Sequence, residues 1–240
     1  MAFSLSDKTR AALQQISTAT VTLQLLKRGV RNVYMRGVAP LAPASERLVG
    51  VATTLRFIPM REDLSTPDIL ADRENPQRVA IDTIAPGVVL VIDARGVFDC
   101  AALGDILAER IKQRGGGGVV TDGGVRDASA VAAVGLPVFA AGPAAPASLA
   151  AHTPVDRDLP VGCGGVAVVP GDVLVGDGDG VVVIPAALAD EVARDGVNQE
   201  EIEDFVKLQV EKGRPVIGLY PPDDKIRAEF EEWVAAGKPR

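Results

Sequence analysis

Pro86-Gly87-Val88-Val89-Leu90-Val91-Ile92-Asp93 is a Pro-Gly turn that launches an unbroken apolar run and ends at a carboxylate. A strand with one wet face alternates apolar and polar residues, whereas a continuous β-branched run is typical of a buried strand. A partial echo follows at Pro170-Gly171-Asp172-Val173-Leu174-Val175-Gly176-Asp177. The two could be an internal structural repeat, but Pro-Gly turns recur in many β-rich proteins. Outward from this stretch, Val49 to Ile58, Val119-Val120 and Val181 to Ile184 read as further strands. Ala140 to Pro160, rich in Ala and Pro, reads as a loop with a short extended piece. Met60 to Asn75 is polar and charged, with Thr66-Pro67 as a turn signal.

Helices are expected on the flanks. Ser6 to Arg28 has a capping Ser6 and apolar residues at Leu13, Ile16, Leu23 and Leu26. Val79 to Ala85 and Ala108 to Arg114 read as short helices. Leu188 to Lys212 reads as a long one, interrupted or weakened at Gly196 and ended by Gly213. After the Tyr220-Pro221-Pro222 turn, Asp224 to Ala236 reads as a final amphipathic helix, packing through Phe230 and Trp233. Strands in the middle and helices at the ends predict one α+β or α/β domain over residues 1–240, with a β-rich core.

Composition narrows the function. The chain has 240 residues, 47% of them hydrophobic and only 4% aromatic, so its core is aliphatic. No apolar run reaches the ~18 residues of a membrane helix. Met1-Ala2-Phe3-Ser4-Leu5-Ser6-Asp7 lacks a basic region followed by an apolar one, so no secretory signal is expected. Cys100 and Cys163 are too few for a disulfide framework and lack zinc-ligand spacing. A cytoplasmic protein with reduced thiols is the simplest expectation. A net charge of −7 argues against general nucleic-acid binding. Nothing here points to a membrane.

The chemistry concentrates in Gly104-Asp105-Ile106-Leu107 and Thr121-Asp122-Gly123-Gly124-Val125-Arg126-Asp127. A helix that returns through the Gly115–Gly118 run into a short strand brings its own start near that strand's end. Asp105, Arg126 and Asp127 can then share a pocket. Mg²⁺ prefers one or two carboxylates plus waters to a full protein cage, and Arg offers a planar fork for a carboxylate. Asp127 is the candidate ligand of Mg²⁺ or Mn²⁺, unless Arg126-Asp127 is a surface pair or a turn cap. Arg126 would bind the carboxylate of an anionic oxo acid. Asp105 would hold the water that acts as acid or base. Free amides at the helix start Gly104–Leu107 can bind a carboxylate. Asp105 as an ordinary N-cap is compatible with that. Asp122, before a Gly-Gly turn, reads as a structural cap or as a residue that supports the site from behind.

The Asp-x20-Arg-Asp spacing, with Gly before it and Ile-Leu after the first Asp, resembles the signature of the RraA-like proteins. Val91-Ile92-Asp93-Ala94-Arg95-Gly96, Pro170-Gly171-Asp172 and Gly178-Asp179-Gly180-Val181-Val182-Val183-Ile184-Pro185 extend the likeness from about Gly50 to Pro185. That family includes metal-dependent 4-hydroxy-4-methyl-2-oxoglutarate aldolases, oxaloacetate decarboxylases and regulators of ribonuclease E. The resemblance implies a β-sandwich or barrel-like core flanked by helices, like the swivelling phosphohistidine domain, and assembly as trimers or hexamers. It implies a lyase that cleaves a small 2-oxo acid through a pyruvate enolate, or else a non-catalytic regulator of a ribonuclease or another protein. It also implies a glutamate entering from a neighbouring subunit's C-terminal helix, for which Glu200 and Glu203 are the candidates. The other reading of that pair is a solvated acidic helix face. One departure stands out: many aldolases of the family carry an acidic residue where Ala130 stands here. Asp127 itself, which members acting only as regulators tend to lose, is retained.

Weaker patterns fall away. Gly115–Gly118 lacks the Gly-Lys-Ser/Thr of a phosphate loop. Asp177-Gly178-Asp179-Gly180 lacks the glutamate of a calcium loop and reads as a turn between strands. A single histidine, His152, nearly excludes His-based triads, and no lysine sits in a clearly apolar strand to form a Schiff base. No nucleotide fingerprint supports a methyltransferase. Arg56 and Arg61 are candidates for the distal half of the substrate, with surface charge as the plainer reading.

Overall fold

The computed structural model describes residues 4–42, 47–63 and 65–239. Residues 1–3, on which part of the expectation about a secretory signal falls, lie outside the described residues. In chain order the helices are α1 (Asp7–Leu13), α2 (Thr18–Lys27), α3 (Pro76–Thr83), α4 (Asp105–Gln113), α5 (Ala128–Val134), α6 (Ala189–Glu211) and α7 (Asp224–Ala235). The strands are β1 (Ala39–Pro40), β2 (Leu48–Pro59), β3 (Val88–Asp93), β4 (Ala101–Leu103), β5 (Gly118–Thr121), β6 (Gly124–Val125) and β7 (Val138–Ala140). They continue with β8 (Gly142–Pro143), β9 (His152–Arg157), β10 (Val161–Cys163), β11 (Val166–Val168), β12 (Val173–Asp177) and β13 (Gly180–Ile184).

The long strand β2 organises the sheet. Along one edge it pairs in parallel with β3, from Val51 opposite Val88 to Arg56 opposite Asp93. Its other edge is shared between two antiparallel strands, β12 against Leu48–Val51 and β9 against Leu55–Pro59. Beyond β3 the sheet continues through the parallel strands β5 and β7 to the antiparallel β1, and beyond β12 to β13. The chain itself closes the gap between the ends. Val183 N–H donates to Val33 C=O at 2.9 Å and Met35 N–H to Val181 C=O at 3.0 Å. The same segment then enters β1, which lies against β7. The result is a nearly closed, barrel-like sheet, which leaves little open edge.

Side chains alternate across each strand, and this explains the apolar run of β3. Val89 and Val91 face the barrel interior with Met35, Leu48, Phe139 and Leu174. Leu90 and Ile92 face outward, into a layer with Ala80 and Ile81 of α3, Ala108 and Ile111 of α4, and Val131 of α5. On the opposite side, Val49, Val173, Val175 and Val182 pack on α1, α2 and α6 through Leu13, Ile16, Leu25 and Val192. The expected architecture of a β-rich core flanked by helices is the one observed.

Three local expectations are corrected, and the extended piece expected in the Ala/Pro stretch is located. The helix expected over Ser6–Arg28 is two helices, because Ser17 caps a second start by accepting from Thr20 N–H at 3.0 Å. Ser6 caps the first in the same way, through Thr9 N–H at 3.1 Å. Conversely, α6 runs unbroken through Gly196. A Cβ there would lie 2.7 Å from Ile16 Cδ1, so glycine allows the helices to approach instead of breaking one. The Ala/Pro stretch contains the six-residue strand β9, placed by its pairing with β2. The two Pro-Gly strands do not repeat one pairing scheme: Val88 and Val173 flank the same Val51 from opposite edges, in opposite senses.

Candidate active site

A second, small sheet builds the site. β4, β6 and β8 lie parallel, with Ala101 opposite Gly124 and Leu103 opposite Val125. Both β4 and β6 run directly into helices. Two helix-opening segments therefore emerge side by side, Gly104–Leu107 into α4 and Arg126–Asp127 into α5. Arg126 N–H donates to Leu103 C=O at 2.9 Å, which locks the two exits together. Glycine at 124 permits the close stacking, since a Cβ there would lie 2.6 Å from Phe98 C=O. The expected juxtaposition of Asp105 with Arg126 and Asp127 is observed. The strand responsible is β6, reached from β5 through the Asp122-Gly123 turn.

Asp127 occupies the N-cap position of α5 in the left-handed region, φ 52° and ψ 40°, and its side chain caps no amide. An N-cap aspartate ordinarily accepts an amide of its own helix. This carboxylate is left free of that duty. Its Oδ2 lies 3.7 Å from Arg126 Nε, a loose pair with side chains 51% and 46% exposed. It also lies 3.9 Å from where a Cβ on Gly104 would stand. Gly104 is the N-cap of α4 and has no side chain to cap it. Asp105 Oδ1 accepts from Ile106 N–H at 2.8 Å.

These groups face a cleft of about 280 Å³. Its walls are Ala101–Leu107, the Arg126-Asp127 pair, the loop Ala147–Leu149, and Gln77 with Arg78 of α3. All of the expected residues of the Gly104–Leu107 and Arg126–Asp127 segments line it. Gln77, Arg78 and Ser148 were not anticipated. A signal for the first two exists: Asn75-Pro76 is an N-cap followed by a proline in the first helical turn, which starts α3 at Pro76 rather than Val79.

Other candidates have their own local tasks. Glu200 Oε1 accepts from Ser17 N–H at 2.8 Å and from Ser17 Oγ at 2.9 Å, at the start of α2. Burial works against its ionisation, yet these bonds and one to Thr20 hold its carboxyl below the usual range. Glu203 accepts from Gln199 at 2.9 Å and from the Tyr220 hydroxyl at 3.2 Å. Neither glutamate lines the cleft of its own chain. Arg56 pairs with Asp156 and Arg61 with Asp63, so both are surface ion pairs. Asp122 accepts amides of Ala94, Gly96 and Gly164 and staples three loops, as its capping role predicts. Its burial raises the carboxyl's pKa. His152 is fully buried against Phe57, with Nδ1 3.1 Å from the Arg95 guanidinium. Cys100 and Cys163 are both buried free thiols.

The donors fit a hard divalent cation. Asp127 and Asp105 offer oxygen alone, and among the described residues no cluster of three His, Cys, Asp or Glu forms a softer or fuller cage. No helix among the described residues is long and apolar enough to cross a membrane.

The chain matches the model of the RraA-like family, described as Aldolase/RraA, over residues 4–183. It is 41% identical over 109 residues to a Halalkalibacterium halodurans protein named "Putative 4-hydroxy-4-methyl-2-oxoglutarate aldolase", covering 45% of this chain and 51% of the relative. The chain thus spans about half the length of that relative. Streptomyces coelicolor RraAS2, titled an unusual member of the RNase ES inhibitor RraA protein family, superposes with a TM-score of 0.74. The identity is 34%, and the match covers 85% of this chain and 97% of that one. A Pseudomonas syringae pv. tomato protein superposes with a TM-score of 0.79 at 24% identity, covering 91% of this chain and 96% of its own, which speaks to the fold alone.

Proposed function

The chain belongs to the RraA-like family, and from that premise we propose that it is a divalent-metal-dependent carbon–carbon lyase acting on 2-oxo acids. Retro-aldol cleavage of a 4-hydroxy-2-oxo acid and decarboxylation of oxaloacetate both leave a pyruvate enolate, so one cleft can serve both. The observation that carries this reading is the convergence of Asp105, Arg126 and Asp127 at the paired exits of β4 and β6.

Arg126 takes the carboxylate next to the 2-oxo group through its guanidinium fork. The Asp105 and Leu107 amides at the start of α4 add hydrogen bonds to the same anionic end, the Ile106 amide being held by Asp105 itself. Asp127, with Asp105 beside it, would hold Mg²⁺ or Mn²⁺. The bound cation would supply positive charge where the 2-oxo oxygen becomes negative. Asp105 orients the water that removes the proton from the C4 hydroxyl, and a proton returns to C3 of the enolate to release pyruvate.

The likeness to RraAS2 favours one other reading, a non-catalytic regulator that binds a ribonuclease or another protein. A pyruvate-release assay decides between them, run on oxaloacetate and 4-hydroxy-4-methyl-2-oxoglutarate with Mg²⁺ or Mn²⁺, and again with chelator. Chelator-sensitive release is expected. A metal-loaded protein inactive on a broad panel of 2-oxo acids would leave the regulator reading.

A further inference from the structure

Arg78 sits on the wall of the cleft contributed by α3, facing a site that already contains Arg126. Its placement is built rather than incidental. Asn75, itself buried, caps α3 by accepting from Gln77 N–H at 3.0 Å and Arg78 N–H at 3.3 Å. Its own amide donates to Ile69 C=O at 3.1 Å. Gln77, also buried, donates its side-chain amide to Ala102 C=O at 2.8 Å and so ties the first turn of α3 to β4. The residue after that clamp is Arg78. Among the described residues no ion pair involves it, although it is only partly exposed. Arg56 and Arg61, by contrast, are matched with aspartates. An arginine without an ion pair, half-buried on the wall of a cleft, marks a place for an anion.

From this we infer that Arg78 is the specificity-determining residue for the far end of the substrate, where it holds a second carboxylate. The inference rests on the lyase reading above and deepens it. One anionic end meets Arg126 and the start of α4, and the other meets Arg78, with the bond to be broken held between them. Holding both ends also positions that bond.

The test compares two substrates that share the same retro-aldol bond. One is 4-hydroxy-4-methyl-2-oxoglutarate, and the other is 4-hydroxy-4-methyl-2-oxopentanoate, which carries a methyl group in place of the distal carboxylate. Arg78→Gln should lower kcat/KM about thirtyfold for the dicarboxylate, mainly through KM, and leave the monocarboxylate nearly unchanged. Arg78→Lys should restore part of the preference. A purely structural role would lower both substrates alike and would overturn the assignment, as would an unchanged ratio. Binding gives a readout independent of turnover, with 2-oxoglutarate and 2-oxopentanoate titrated calorimetrically in the presence of Mg²⁺. Wild-type protein should prefer 2-oxoglutarate, and Arg78→Gln should lose that preference. Preference without pyruvate release would retain the Arg78 subsite and reject the lyase. Pyruvate release with discrimination untouched in Arg78→Gln would do the reverse.

Discussion

Asp127 combines an unusual backbone with a carboxylate that caps no amide, and the two features dictate how it should be tested. At φ 52° an alanine would carry left-handed strain of roughly 1–2 kcal/mol, which Asn avoids. Asp127→Asn is therefore the clean variant. It should leave thermal unfolding unchanged and lower Mg²⁺-dependent pyruvate release by at least about a hundredfold. Unaltered turnover and metal dependence would remove Asp127 from the site. Arg126→Lys keeps the charge and loses the fork, and about 2 kcal/mol of transition-state binding corresponds to roughly thirtyfold in kcat/KM. Near wild-type kinetics would place Arg126 outside the chemistry. His152 governs stability instead. Burial, and then the neighbouring Arg95, push its pKa from 6.5 down to about 4. The unfolded chain takes up that proton below 6.5, whereas the folded one does so only near 4. Its contribution is thus intact above 6.5 and is lost as pH falls through that window. The drop in Tm across the window should be smaller in His152→Gln than in wild type; equal drops would refute the assignment.

Between elements, the most informative joint is α6 against the start of α2. Ser17 begins α2 by capping Thr20 N–H, and its amide and hydroxyl also have Glu200 as a partner 183 residues away. The lowered pKa of Glu200 means that its stabilisation is present above the ordinary glutamate range and is lost as pH falls below it. Glu200→Ala should cost about 1 kcal/mol at neutral pH and increase amide exchange at the start of α2. No change in exchange there would show that Ser17 caps the helix unaided. This duty also complicates Glu200 as a residue offered to a neighbour, and makes Glu203 the cleaner probe. The α3 start has the same logic: Asn75 and Gln77 anchor the turn that presents Arg78.

At the scale of the whole molecule, no residue of α6 lines the cleft, so a glutamate of that helix would complete it from a neighbouring subunit. Ile106, next to Asp105, is 78% exposed, and Ile217, between α6 and α7, is 92% exposed. Burying such aliphatic surface between subunits would add stability to a chain with few aromatic residues. The expected particle is a trimer or hexamer by light scattering. If Glu203 completes a neighbour's cleft, mixed oligomers of Asp127→Asn and Glu203→Ala chains should regain some of the activity that each lacks, because some interfaces then hold both intact residues. A fully active monomer, or verified mixed oligomers without recovery, would count against a shared site.

Local chemistry made much of this protein legible in its sequence. The β3 run announced burial on both faces, Ser6 announced a cap, Gly213 a stop, and Asp-x20-Arg-Asp a joint site. The first three depend on a residue and its near neighbours, through turn geometry, capping and the period of the side chains, whereas the Asp105–Asp127 spacing was legible through its likeness to a family signature. Tertiary structure alone decided the rest. Residues 33–40 close the barrel by bonding to strands roughly a hundred or more residues away. Gly196 packs against Ile16, β9 exists because β2 offers it an edge, and Arg78 reaches the cleft because Gln77 grips Ala102. The physical reason is common to all four. Their stabilising partners are distant in the chain, so no local pattern records them, and only packing brings the two halves of each contact together.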